Sequence, residues 1–247
     1  MTNTAVQGGM RALPLFAGVR DDTFQRLMSA ADDKSFPPQC QLIEEGTPAD
    51  FLHVVVEGLV ELYGSARGRD ATMAVVRPYE TFMLAASVRH LPYLLSARTL
   101  QRSRIVTIPS VDVQAAIDGD SQFARNALNE LAASFRGMVR HAKNLKLRST
   151  RERIAAYLLR QSRLMGDAPE FTLPVEKRLI ASYMGMTPEN LSRALRSLGA
   201  DGCRIEGQQV CITDRARLEA LAELSLLFDG PDAEGAGARP EPAARAT

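Results

Sequence analysis

The chain has no tryptophan, three cysteines and three histidines in 247 residues. Cys40, Cys203 and Cys211 are an odd, widely spread set with no C-x-x-C pair. That excludes the disulfide framework of a small secreted domain and gives no signal for structural zinc or a thioredoxin-type centre. No stretch approaches ~20 consecutive apolar residues, and Gly8, Gly9 and Arg11 interrupt the start, so a cytoplasmic protein without a membrane span is expected. The histidines complete no Ser-His-Asp set and no metal-ligand spacing, and no glycine-rich phosphate loop is present. An enzyme is therefore not expected. Neither charge sign dominates: 30 Lys+Arg stand against 29 Asp+Glu, a net +1. Hydrophobic residues at 45% and charged ones at 24% exclude a collagen-like or wholly disordered chain.

The even balance hides a gradient. Residues 148–217 hold 12 Lys+Arg and 8 Asp+Glu, whereas residues 218–247 hold 2 and 6. A mildly basic segment precedes an acidic end. Residues 1–12 read as a loose arm, and Asp21 or Asp22 is positioned to cap a helix carrying Phe24, Leu27 and Met28. From Phe36 to Pro109, short apolar runs alternate with Gly, Pro or charged turns, the pattern of a small β-sandwich or barrel. Over 118–147 the period changes. Ala124, Leu128, Leu131, Phe135, Met138, Ala142 and Leu145 follow at spacings alternating between 4 and 3, an a/d seam that predicts dimerisation through a long helix. A helix packed on its own domain is the plainer reading of the same stripe. A helix over 149–165, two short helices at 176–184 and 188–199, a hairpin around Gly207-Gln208 and a helix capped by Asp214 follow. From Asp229 onward the composition cannot bury enough apolar surface to order itself.

The sharpest local signal is 177–195. Ala181 is small where two helices would cross, and Gly185 suits a left-handed turn. Thr187 suits an N-cap, with Pro188 at the first helical position. Leu191, Leu195 and Leu198 point inward, leaving Glu189, Ser192, Arg193 and Arg196 outward. This is a helix-turn-helix with a polar recognition face, and the hairpin at 203–212 is its wing. Arginine donates two hydrogen bonds to guanine O6 and N7, and glutamate accepts from cytosine N4. Glu189, Ser192 and Arg193 are thus candidate base contacts, and Lys177, Arg178, Thr187, Arg196 and Arg204 candidate phosphate contacts. An αα-corner without nucleic acid has the same spacing, and a β-rich scaffold or ligand-binding module with no sequence-specific DNA binding is the alternative function.

These residues together resemble the Crp/Fnr family of bacterial transcription regulators over roughly 13–225. Glu44-Glu45-Gly46-Thr47-Pro48-Ala49-Asp50 leading to Val54-Val55-Val56-Glu57-Gly58 resembles its cyclic-nucleotide-binding β-roll. The seam helix resembles its dimerisation helix, and Glu189-Asn190-Leu191-Ser192-Arg193 its recognition helix. The resemblance implies an α+β chain: arm and β-roll sensor over 1–117, dimerisation helix over 118–147, winged helix-turn-helix over 148–228 and a disordered acidic tail over 229–247. It also implies a homodimer on a palindromic double-stranded operator. Ser192 is similar to the Fnr branch, implying TTGAT-like half-sites and, for an activator, RNA polymerase as partner.

The effector candidates come from the same resemblance: Tyr79, Glu80, His90, Ser96 and Arg98. Family members that bind cyclic AMP hold its phosphate with a Gly-Glu pair and an Arg-Ser or Arg-Thr pair. Here Tyr79 replaces the glycine and Leu95 the arginine, removing a charge-assisted partner, so cyclic AMP is not expected. Cys40 alone cannot hold an iron–sulfur cluster. That leaves haem, a small organic effector or no ligand; similarity to cluster-free denitrification regulators implies nitric oxide or low-oxygen sensing through haem, with His90 as first candidate ligand and His141 as second.

Overall fold

The computed structural model describes residues 4–89, 91–225 and 229. They form two units that divide between Ser134 and Phe135. His90 and the segment 230–247, read above as a disordered tail, lie outside the described residues.

In the first unit, the apolar runs join the more polar stretches 32–36, 81–82 and 96–99 in two four-stranded sheets. Strands β1 (Asp32–Phe36), β3 (Phe51–Glu57), β6 (Thr81–Phe82) and β8 (Ser103–Pro109) make one sheet, ordered β1-β8-β3-β6. The other is ordered β2-β7-β4-β5, from β2 (Gln41–Ile43), β4 (Val60–Ala66), β5 (Arg69–Val76) and β7 (Ser96–Thr99). All pairings within both sheets are antiparallel. Alternation along β3 explains why Leu52 to Val56 are all buried. Leu52, Val54 and Val56 join one apolar cluster, while Val55 joins a second with Ile43, Val60, Val76, Phe82 and Tyr93. Gly58 joins β3 to β4 at φ +90°, where a Cβ would lie 2.6 Å from the Arg102 carbonyl oxygen, so only glycine fits.

Helices cover the first cluster. They are α1 (Thr4–Arg11), α2 (Asp21–Ala30), α3 (Leu84–Arg89), α4 (Ser110–Gly119) and the start of α5 (Ser121–Leu147). The arm expected over 1–12 is therefore partly helical, and Met10 is buried in the core. Asp21 and Asp22 occupy the first turn of α2 rather than its cap, where their charge complements the helix dipole. The helix expected from 118 begins at Ser121, because Asp120 accepts from the Gln122 and Phe123 amides at 2.9 and 3.2 Å. A separate helix, α4, precedes it.

The second unit holds the rest of α5, then α6 (Thr150–Leu164), β9 (Glu170–Thr172), α7 (Lys177–Tyr183), α8 (Pro188–Ser197), β10 (Cys203–Glu206), β11 (Gln209–Ile212) and α9 (Arg215–Ala222). A full capping box starts α6: the Ser149 hydroxyl accepts from the Glu152 amide, and Glu152 accepts from the Ser149 amide at 3.0 Å. The wing sheet is ordered β10-β11-β9. Its core joins Ile154, Leu158, Phe171, Ile180, Leu191, Leu195, Val210 and Leu218. Asp229, read above as the first residue of the tail, is instead tied to this unit. Its carboxylate accepts from Arg148 at 2.6 and 3.0 Å, and its carbonyl accepts from Arg163 at 2.8 Å.

Candidate nucleic-acid interface

The turn between α7 and α8 is built as its residue types require. Ala181 is fully buried, and its carbonyl accepts from the Met186 amide at 3.0 Å. Gly185 holds φ +65°. The Thr187 hydroxyl accepts from the Asn190 amide at 3.3 Å, and Pro188 opens α8. Leu191, Leu195 and Leu198 are buried, which turns the opposite face of α8 to solvent. There Pro188, Glu189, Ser192, Arg193 and Arg196 line one open groove of about 360 Å³.

This face holds a donor and an acceptor one turn apart. The Glu189 carboxyl lies below the usual carboxylate range, through its own backbone amide first, then the Thr187 hydroxyl and the Arg193 charge. Arg193 donates to Asn190 Oδ1 at 2.6 Å, which aims the guanidinium; Arg196 donates to the Ser192 carbonyl at 3.3 Å. The positioning role of Asn190 went unread in the sequence, although its i, i+3 spacing to Arg193 is the available signal. Of the phosphate candidates, Arg178 pairs with Glu176 at 2.7 Å, Lys177 is half-buried at the start of α7, and Arg204 is exposed on β10. The Thr187 oxygen is engaged in the cap.

The expected seam divides along α5. Leu128, Phe135, Met138 and Ala142 are exposed, the first three at 66–69%. Leu131 instead packs against the core of the first unit, and Leu145 lies against Gly185. Phe123 and Ala127, absent from the expected seam, are buried in that core. The helix thus has two apolar faces, of which one is left exposed by the described residues.

The effector candidates do not converge on a phosphate-sized charge. Arg98 donates to Glu61 at 2.7 Å and to Asp70 at 3.0 Å, and lies 4.2 Å over the Tyr63 ring. Its charge is already matched. The Ser96 hydroxyl accepts from the Glu45 amide at 3.0 Å, and Glu80 accepts from the Arg77 amide at 2.9 Å. Tyr79 is exposed and meets Gly9, where a Cβ would stand 2.8 Å from the ring. Leu95 rests near Gly64. Burial, with the Glu80 charge adding, pushes the Glu130 carboxyl up to about 7, a feature the sequence reading missed. His141 stacks on Tyr183 with ring centroids 4.5 Å apart, and burial, Arg160 and Arg153 lower its pKa. That packing does not suit an axial haem ligand, so the haem reading rests on His90.

Residues 33–120 match the cyclic nucleotide-binding domain family, and residues 152–221 the Crp-like helix-turn-helix domain family. The nitrogen fixation regulation protein FixK of Bradyrhizobium diazoefficiens is 30% identical over 186 residues, 72% of this chain and 76% of that one. FixK of Azorhizobium caulinodans is 27% identical over 217 residues, 78% of this chain and 85% of that one. The solved structure of FixK2 from Bradyrhizobium japonicum superposes with a TM-score of 0.71 at 27% identity, covering 79% of this chain and 98% of that one. Among the described residues, no helix is long and apolar enough to cross a membrane. With a β-roll followed by a winged helix-turn-helix, and FixK-type relatives aligned through both, the chain belongs to the Crp/Fnr family of DNA-binding transcription regulators.

Proposed function

We propose that the chain acts as a homodimer, paired along α5, that reads a palindrome of TTGAT-like half-sites and answers a signal received by the β-roll. The observation that carries the DNA reading is the solvent face of α8. There Arg193 is aimed by Asn190 beside an ionised Glu189. Arg193 supplies two donors for guanine, Glu189 accepts from a cytosine of the opposite strand, and Ser192 meets a thymine or a phosphate. Lys177, Arg178, Arg196 and Arg204 provide the phosphate contacts that set register, while the Thr187 hydroxyl is held by the cap. The unfilled stripe of Leu128, Phe135, Met138 and Ala142 supports pairing.

Nitric oxide or low oxygen, received through haem on His90, is the form of the signal we favour, by likeness to the cluster-free denitrification regulators. A Soret band in the freshly purified protein tests it. Cyclic AMP has no place in the proposal, because Leu95 carries no charge and Arg98 is held by Glu61 and Asp70. Cyclic AMP at millimolar concentration is expected to leave operator affinity unchanged in a mobility shift. The same assay tests the main reading. A TTGAT palindrome should out-compete a scrambled duplex throughout a salt series, and equal affinity at every salt concentration would exclude sequence reading.

A further inference from the structure

The apolar core of the second unit begins at Ile154, and among the described residues no side chain of α5 belongs to it. The last turns of α5 therefore meet the DNA-reading helices without sharing their core. His141 stacks on Tyr183, and Leu145 lies near Gly185. The covalent link is short, with only Arg148 and Ser149 between Leu147 of α5 and Thr150 of α6. Two residues still carry four rotatable backbone angles. The angle between α5 and α6 thus depends on the polar ties that span the corner.

Arg153 supplies one tie, donating to the Leu145 carbonyl at 3.0 Å. The larger one is centred on Arg148. Its two terminal nitrogens fork onto the Asp229 carboxylate at 3.0 and 2.6 Å. One of them also donates to Asn144 Oδ1 at 3.3 Å, the other to the Glu223 carbonyl at 3.2 Å. Asp229 is held in turn. Its carboxylate accepts from the Ser225 amide at 3.1 Å, and its carbonyl from Arg163, in the last turn of α6, at 2.8 Å. One residue after α9 thus ties together the end of α5, the link and the end of α6. The Arg148 and Asp229 side chains are 7% and 16% exposed. At that burial salt screens the pair little, and a two-point fork fixes direction as well as distance. A buried ion pair is weak evidence for stability, but its geometry is strict. What this pair supplies is an angle.

We propose that Asp229 and Arg148 are positioning residues for operator binding. Their clasp sets the angle at which α5 leaves the winged helix-turn-helix, and with it the separation of the two recognition helices in a dimer. This rests on the homodimer reading above. On a palindrome both helices must enter their grooves at once. A rigid corner presents the second helix to its half-site at high effective concentration. A loose corner spreads it over many positions and lowers the gain from the second half-site.

The test uses the full chain. Asp229→Asn keeps the shape of the side chain and removes its charge. Arg148→Met combined with Asp229→Leu keeps the site buried and apolar without the fork, and decides should Asp229→Asn fail to fold. Mobility shifts compare three duplexes: the palindrome, the palindrome lengthened by two base pairs at its centre, and a single half-site. Light scattering follows the dimer, and amide hydrogen exchange over residues 144–152 follows the corner. The folded variants should stay dimeric, bind the single half-site like the parent and lose about tenfold or more on the palindrome. They should also discriminate less between the two spacings, and exchange at the corner should quicken. Equal loss on the half-site and the palindrome, with the spacing preference kept, would mean general damage to the reader and overturns the proposal. So do variants that match the parent on all three duplexes. A parent that binds the palindrome no better than the half-site overturns the homodimer reading, and this proposal with it. A parent that gains from the second half-site, beside variants that gain as much, overturns the clasp alone.

Discussion

Arg193 and Asn190 show what a single side chain contributes on an exposed helix. A free arginine samples many rotamers, and ordering it costs up to ~2 kcal/mol. The 2.6 Å bond to Asn190 restricts that freedom before DNA arrives. Arg193→Ala should cost about 1–3 kcal/mol per half-site and flatten preference at the guanine. Lys177→Ala should instead weaken all sequences alike and lower the salt slope by ~1. Comparing both variants on the palindrome and on a duplex with its guanines changed separates the roles. Equal weakening of both duplexes by Arg193→Ala would make Arg193 a phosphate anchor. His53 makes a pH prediction at the same scale. The unfolded chain protonates this ring below about pH 6.5, whereas the folded chain resists until about 4. Between those values the unfolded state binds more protons, so falling pH removes stability, on the order of 2–3 kcal/mol from pH 7 to 4.5. His53→Phe should flatten that part of the stability–pH curve, measured by urea unfolding. An unchanged curve would show that burial does not shift this histidine.

At the scale of elements, α5 explains both what the sequence conveyed and what it concealed. Its period of 3.5 was legible, and so was its apolar stripe. The division of that stripe was not, because spacing cannot tell a leucine facing a second chain from one facing its own core. Leu131 packs on the core that buries Phe123 and Ala127, whereas Phe135 and Met138 are left exposed by the described residues. The recognition helix was more legible, since Gly185, Thr187 and Pro188 each serve one backbone geometry. Strands β2, β3, β4, β5 and β8 of the sensor were readable from their apolar runs, but the more polar β1, β6 and β7 and the helices α1, α3 and α4 were not. The three helices are short, at 8, 6 and 10 residues, and packing against the rest of the unit completes them. The division of α5 makes the interface test specific. Phe135→Glu with Met138→Glu places charges on the exposed stripe and leaves the core contacts of Leu131 intact. Desolvating those carboxylates at a dry seam is costly, so the variant should be a folded monomer that loses operator binding. A stable dimer by light scattering would place the interface elsewhere.

At the scale of the whole molecule, pairing and readout constrain each other. A single recognition helix with one arginine and one glutamate reads few base pairs, and each mismatch costs ~1–3 kcal/mol, too little to select one operator. Two helices related by a two-fold axis double that discrimination, but only if both major grooves face the same side of the duplex. Half-sites must then sit about one helical turn apart, ~10 base pairs centre to centre. Inserting five base pairs between the halves rotates one site by half a turn without altering any base that Arg193 or Glu189 contacts. A dimer can then engage one half-site, and its affinity should fall to that of a duplex with a single half-site. A ten-base-pair insertion restores the face and should recover part of the loss, the remainder reflecting the longer span. A monomer, or a pair joined by a flexible tether, would bind all three duplexes almost equally. Equal binding would therefore remove the rigid dimer from the proposal while leaving base reading by α8 in place.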